Sequence, residues 1–163
     1  MKFSNIKTKK DSLYIILILL FCIACIAGLR YERRLNMQKD IAEKIVRFHV
    51  IANSDAKEDQ DLKLAVRDAV GIKMSELLKD VADRSESEDV IRENMENMKQ
   101  TAQKVIAENG YDYEVDVCLK DTDFPVKSYG MYTFPAGTYE ALEIVIGEGK
   151  GHNWWCVMYP NMC

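Results

Sequence analysis

A chain of 163 residues with 22 basic and 26 acidic side chains has length for one domain and a formal charge of −4. Residues 30–163 hold 18 Lys and Arg against 25 Asp and Glu, a charge of −7. That field repels phosphate backbones and anionic lipid surfaces, which excludes nucleic acid as a partner.

The first 29 residues stand apart. Lys2, Lys7, Lys9 and Lys10 precede Leu13–Leu29, a 17-residue run without a charged side chain. At ~1.5 Å per residue a helix of that length spans about 25 Å, close to a ~30 Å hydrocarbon core. A buried core helix would need polar relief on one face, and Leu13–Ala27 has none. Residues 1–29 therefore read as a signal peptide, with Cys25-Ile26-Ala27 as a cleavage candidate, or as an uncleaved signal anchor. Arg30, Arg33 and Arg34 add basic charge at the far end, so charge asymmetry orients the segment only weakly. A charged, helical stalk follows at residues 30–44, and an extracytoplasmic domain fills residues 45–163.

Ile45–Ala52 (IVRFHVIA) has the composition and length of a strand. Val46, Phe48 and Val50 point to one face, Arg47 and His49 to the other. The chain breaks at Asn53-Ser54-Asp55, and Asp55 with Glu58 forms a capping-box pattern. From Leu62 to Val81 apolar residues keep helical spacing, predicting one long helix that ends near Asp83. Ser85 with Glu88 repeats the capping signal for a second helix through Ile91, Met98, Ala102 and Ile106, stopped by Asn109-Gly110. Tyr111–Leu119 alternates as a strand with Cys118 on its polar face, and Phe124-Pro125 ends it. An irregular strand at Lys127–Thr133, a turn at Phe134–Gly137, a strand at Tyr139–Ile146 and a last one at Asn153–Tyr159 complete the chain. The predicted fold is α+β: two long helices packed on an antiparallel sheet, preceded by the hydrophobic export or anchor segment.

Gly147–Cys163 (GEGKGHNWWCVMYPNMC) concentrates the chemistry-bearing residues. Its alternating glycines open onto a strand, not onto a helix whose amides would take a phosphate, so they read as a turn. A Cys–His hydrolase would use Cys156 as nucleophile, a histidine as base, and Asn53 or Asp55 to orient it. His152 lies four residues away along a strand, ~13 Å, whereas the pair needs about 3 Å. His49, His152 and a cysteine lack metal-ligand spacing, so no metal and no cofactor are expected. Cys156 and Cys163 are the expected disulfide; closing their 8-residue loop contributes roughly 2.5 kcal/mol. Cys118 is then left as a free thiol. Trp154 and Trp155, adjacent on a strand, point to opposite faces.

Arg47–Gln60 (RFHVIANSDAKEDQ), Leu62–Val70 (LKLAVRDAV) and Phe134–Cys163 together resemble the stage II sporulation protein R family of endospore-forming bacteria. The resemblance covers about residues 45–163, with no family string recognised in Val81–Ala107. It implies signalling without known catalysis. Members of the family are made in the forespore and exported to the space between the forespore and mother-cell membranes. There they activate a membrane-embedded aspartic peptidase of the mother cell, which removes the pro-sequence of sigma factor E. On that reading the expected partner is the peptidase, and the membrane is touched only through residues 13–29 if they are retained. The expected contact edge is His49, Asn53, Ser54 and Asp55 with His152, Asn153, Trp154 and Trp155. Two rivals remain: an exported cell-wall or peptide hydrolase built on Cys156, and a structural protein of the spore envelope.

Overall fold

A computed structural model describes residues 4–162. It divides into two compact units, Met1–Lys39 and Asp40–Cys163. Helix α1 (Ser4–Ala42) joins the expected apolar segment and stalk into one continuous helix. Its stretch from Ser12 is long and apolar enough to cross a membrane, with a mean hydropathy of 2.8.

In the second unit the elements run β1 (Val46–Ile51), α2 (Lys57–Leu77), α3 (Arg84–Glu108), β2 (Val115–Phe124), β3 (Lys127–Tyr129), β4 (Tyr132–Phe134), β5 (Gly137–Ile146) and β6 (Asn153–Tyr159). The α+β class and the two helices hold. The sheet, however, is mixed, not antiparallel: its order is β2-β5-β1-β6, and β1 runs parallel to β5. Two helices separate β1 from the later strands, and that length lets the chain cross over and lay β5 alongside β1 in the same direction. β1 becomes a central strand.

Helices α2 and α3 cover one face of the sheet. Leu62, Val66, Val70 and Met74 recur every four residues on α2, and Ile91, Met98, Ala102 and Ile106 line α3. They meet Val46, Phe48, Val50, Leu142, Ile144 and Ile146 in the main core. Each such large apolar side chain contributes about 1.5–3 kcal/mol by leaving water. Glu140 on β5 takes Arg84 at 2.8 Å and Arg92 at 2.7 Å, fixing the start of α3 over the sheet. The opposite face carries a second cluster of Ile45, Phe124, Phe134, Tyr139, Ala141 and Val157. The β3–β4 hairpin, a separate two-stranded sheet, contributes Tyr129 and Phe134 to it.

Several boundaries differ from the sequence reading, each for a local reason. The strand expected from Tyr111 begins at Val115, because its partner β5 ends at Ile146, opposite Val115. Lys127–Thr133 is not one strand: Gly130, at φ +58°, turns it into the β3–β4 hairpin. Helix α2 stops at Leu77, not near Asp83, because Asp83 caps the next helix. The capping box of α3 is accordingly Asp83 with Glu86, not Ser85 with Glu88. The Asp83 carboxylate accepts from Glu86 N–H at 3.0 Å, and Glu86 accepts from Ala82 N–H at 2.8 Å.

Asp83→Ala should therefore lower unfolding stability by about 1 kcal/mol, whereas Ser85→Ala should leave it within about 0.5 kcal/mol. Denaturant titration of the two variants checks the assignment.

Candidate functional site

Parallel pairing brings the C-terminal ends of β1 and β5 together, and β6 starts beside them: Ile51 lies opposite both Val145 and Asn153. The loop after β1 (Asn53–Ala56) and the loop from β5 to β6 (Gly147–His152) consequently meet at one end of the sheet. Their backbones are knitted: Lys150 N–H donates to Asn53 C=O at 3.0 Å and Gly151 N–H to Ala52 C=O at 2.9 Å. The Asn53 side chain accepts from Glu148 N–H and donates to the Asp59 carboxylate, both at 2.9 Å. Ser54 Oγ donates to the same carboxylate at 2.6 Å and accepts from Ala56 N–H at 3.1 Å. These bonds from Ser54 and Asn53 hold the Asp59 carboxyl below its usual range.

The glycines serve this approach. Gly147 and Gly149 have φ of +57° and +61°, and a Cβ on Gly151 would lie 2.3 Å from the Ser54 carbonyl oxygen. No helix follows, so this is a turn between strands, as its sequence context implies.

Asp55 does not cap α2, whose N-cap residue is Ala56 without a side-chain bond. Its carboxylate reaches across instead and accepts from His152 N–H at 2.7 Å, with His152 Nδ1 at 2.5 Å. Those two bonds hold the Asp55 carboxyl below its ordinary value. The pair stays open to solvent, with the side chains 54% and 82% exposed. Behind it the buried Lys63 donates to His152 C=O at 2.9 Å.

The eight expected contact residues thus separate by role. Asn53 and Ser54 join the loops, Asp55 and His152 form the exposed corner, and Asn153 starts the edge strand β6. The two tryptophans do take opposite faces. Trp154 packs edge-on to Phe48 at 5.8 Å, with the Arg67 guanidinium 4.9 Å from its ring. It lines a groove of about 540 Å³ between α2 and β6, with Gly71, Ile72 and Ser75 on the α2 side and Asn161, just beyond β6, reaching Ser75 Oγ at 2.6 Å. Trp155 lies on the second face, stacked on His49 at 4.9 Å and 8°.

His49 does not belong to the exposed edge. It is 1% exposed, with Nε2 3.0 Å from Glu143 Oε2 but out of line for a hydrogen bond. Burial pushes its pKa down to about 4, against the attraction of Glu143, so the ring is neutral. Glu143 also binds Lys120 at 2.5 Å. The half-buried Cys118, a free thiol, lies 3.7 Å from Glu143, and burial pushes its pKa up, so it is a poor nucleophile.

Cys156 is disulfide-bonded and 2% exposed, which removes it as a nucleophile. It also lies opposite Phe48 in the helix-side core, on the other face from His49. The expected partner, Cys163, lies outside the described residues. Among the described residues no cluster of His, Cys, Asp and Glu could hold a metal ion.

The edges of the sheet are unlike. β2 carries Asp116, Lys120, Asp121 and Asp123, charges that deter pairing with another chain. β6 reads NWWCVMY and carries none. Sequence reasoning missed Arg47 and Glu143 as buried polar residues of the second face. The signal was available: a nearly continuous apolar run such as Ile45–Ala52 is typical of a strand covered on both sides.

The stage II sporulation protein R family matches residues 42–163, the whole of the mixed sheet and its helices. The chain belongs to this family. A curated relative, stage II sporulation protein R of Bacillus subtilis (strain 168), is 34% identical over 159 residues, covering 95% of this chain and 71% of the relative. No solved structure matches the chain. A sporulation role follows from the family, and α1 is compatible with export or membrane anchoring.

Two measurements check this geometry. Gly151→Ala should destabilise the domain by about 1–3 kcal/mol, because the added methyl meets backbone. Gly71→Ala, where a Cβ meets nothing within 4 Å, should not destabilise it. The depressed pKa of His49 makes stability pH-dependent. Between its unfolded value of 6.5 and its folded value of about 4 only the unfolded chain takes the proton. Stability should fall by roughly 3 kcal/mol as pH drops through that window. His49→Phe should flatten that part of the profile in pH-dependent denaturation.

Proposed function

We propose that this chain is an exported sporulation signalling protein that activates a membrane-embedded aspartic peptidase of the mother cell. The peptidase then removes the pro-sequence of sigma factor E. The protein would act from the space between the forespore and mother-cell membranes, either released from residues 1–29 or anchored by them. Membership of the stage II sporulation protein R family, matched over residues 42–163, carries this reading. The surface supports it: an open Asp55–His152 corner, an uncharged edge strand and the Trp154 groove all lie at the β6 side of the sheet. Tryptophan beside a groove is the kind of anchor that dominates protein interfaces. Activation requires only that the surface bind the active arrangement of the peptidase better than the inactive one. The bonded Cys156, with Cys163 as its proposed partner, would hold β6 and the chain end in place.

Alanine at Asp55, His152 and Trp154 tests the surface in cells that hold the peptidase and its substrate, with export and folding verified. Losing about 1.4 kcal/mol of binding should reduce cleavage of the sigma precursor about tenfold at limiting protein, with Trp154→Ala the most severe. Wild-type cleavage in all three would place the contact elsewhere. No cleavage with the unaltered protein would overturn the function itself.

A further inference from the structure

Arg47 is a buried cation that the domain leaves only partly satisfied. Its side chain is fully buried, yet Nε and Nη1 have no hydrogen-bond partner. Nη2 donates to Tyr129 Oη at 3.1 Å. Three rings surround the guanidinium: Phe124 at 4.1 Å, Tyr139 at 4.9 Å and Phe134 at 5.6 Å. Among the described residues no carboxylate lies within ion-pair distance of it; Glu143, on the same face of the sheet, pairs with Lys120. A guanidinium cannot shed its proton, and a buried charge without a counter-ion is strongly unfavourable. The Tyr129 and Tyr139 hydroxyls and the cation–π contacts offset part of that penalty, and Nε and Nη1 stay unbonded.

Part of the cover over Arg47 comes from outside the four-stranded sheet, tied to it at its base by the Tyr139 hydroxyl, which donates to Pro135 C=O at 2.7 Å. Tyr129 and Phe134 belong to the β3–β4 arm, which pairs only with itself and is bracketed by Pro125 and Pro135. Proline has no N–H, so neither bracket can extend the β2–β5 ladder into the arm. Outside, the arm and its approach expose Met131 at 93%, with Tyr132 and Val126 also largely exposed. A protein seated on those side chains would have purchase on the arm.

We propose that Arg47 is a receptor for a carboxylate carried by a protein partner, an Asp or Glu side chain admitted when the Lys127–Phe134 arm lifts off the sheet. One cation in an aromatic box matches a singly charged planar anion. A doubly charged phosphate would leave an unbalanced negative charge among rings that present no second cation. The inference rests on the box and its cover, not on which partner the protein activates.

The test uses the full-length chain in a non-ionic detergent. Hydrogen–deuterium exchange across residues 125–136 and the thermal midpoint are followed in sodium acetate and in sodium chloride of equal ionic strength. The same readouts are taken with a short peptide bearing one glutamate and with its glutamine counterpart. Acetate and the glutamate peptide should each shift arm exchange and raise the midpoint, the peptide at lower concentration, while chloride and the glutamine peptide should not. Arg47→Met should lose the response. Tyr129→Phe, which removes only one hydroxyl, should respond at lower carboxylate concentration than the parent and keeps the test open if Arg47→Met does not fold. A response to acetate but not to the glutamate peptide would overturn the protein-borne source. An equal response to chloride, an unaltered response in Arg47→Met, or an unchanged concentration dependence in Tyr129→Phe would overturn the site.

Discussion

The parallel pairing of β1 with β5 is the constraint on which the rest of this domain depends. It places β1 between β5 and β6, so a six-residue strand has neighbours on both edges and cover on both faces. Val46, Phe48 and Val50 then enter the helix-side core, while Arg47 and His49 are enclosed under the second cluster. The same pairing gathers the ends of three strands at one rim, where the Asn53 and Gly147–Gly151 loops bind each other through backbone and side chain. With the order reversed, those loops would lie at opposite ends of the sheet and neither the Asp55–His152 corner nor the glycine contacts could form.

The two faces of the sheet have different chemistry because different kinds of element cover them. Helices satisfy their own backbone and present apolar stripes, so their side of the sheet is a conventional hydrocarbon core. A short hairpin cannot supply that much apolar area. The second face instead mixes rings with ionisable groups: Trp155 over His49, Phe124 over Arg47, and Glu143 between Lys120 and His49. Burial there decides protonation, keeping the imidazole neutral and the Cys118 thiol protonated. That is a setting for recognition and for pH sensitivity, and a poor one for nucleophilic chemistry.

The two edges of the sheet differ in chemistry. An uncharged edge strand, a groove beside Trp154 and a solvent-facing Asp–His pair all lie on or next to β6, whereas the β2 edge carries charge. The family relationship gives the domain a biological setting in sporulation.

Period and composition by themselves determined much of this. The spacing of Leu62, Val66, Val70 and Met74 specifies a helix face, the alternation over Tyr111–Leu119 specifies a strand though not its start, and two adjacent tryptophans in a strand must part to opposite faces. These are local properties of the backbone repeat. The concentration of polar and aromatic residues at two strand ends, Asn53–Asp55 and His152–Trp155, also singled out the two segments that meet at the rim. What the tertiary structure decided was every matter of partnership. Asp55 has the look of a helix cap, yet a histidine 97 residues away offers its carboxylate a better pair of donors. Arg47 and His49 alternate like solvent-facing residues; the apolar run around them is compatible with cover on both faces, and the second cluster over β1 is what buries them. A side-chain period tells which face a residue occupies; what lies against that face depends on chain crossings that no local pattern encodes.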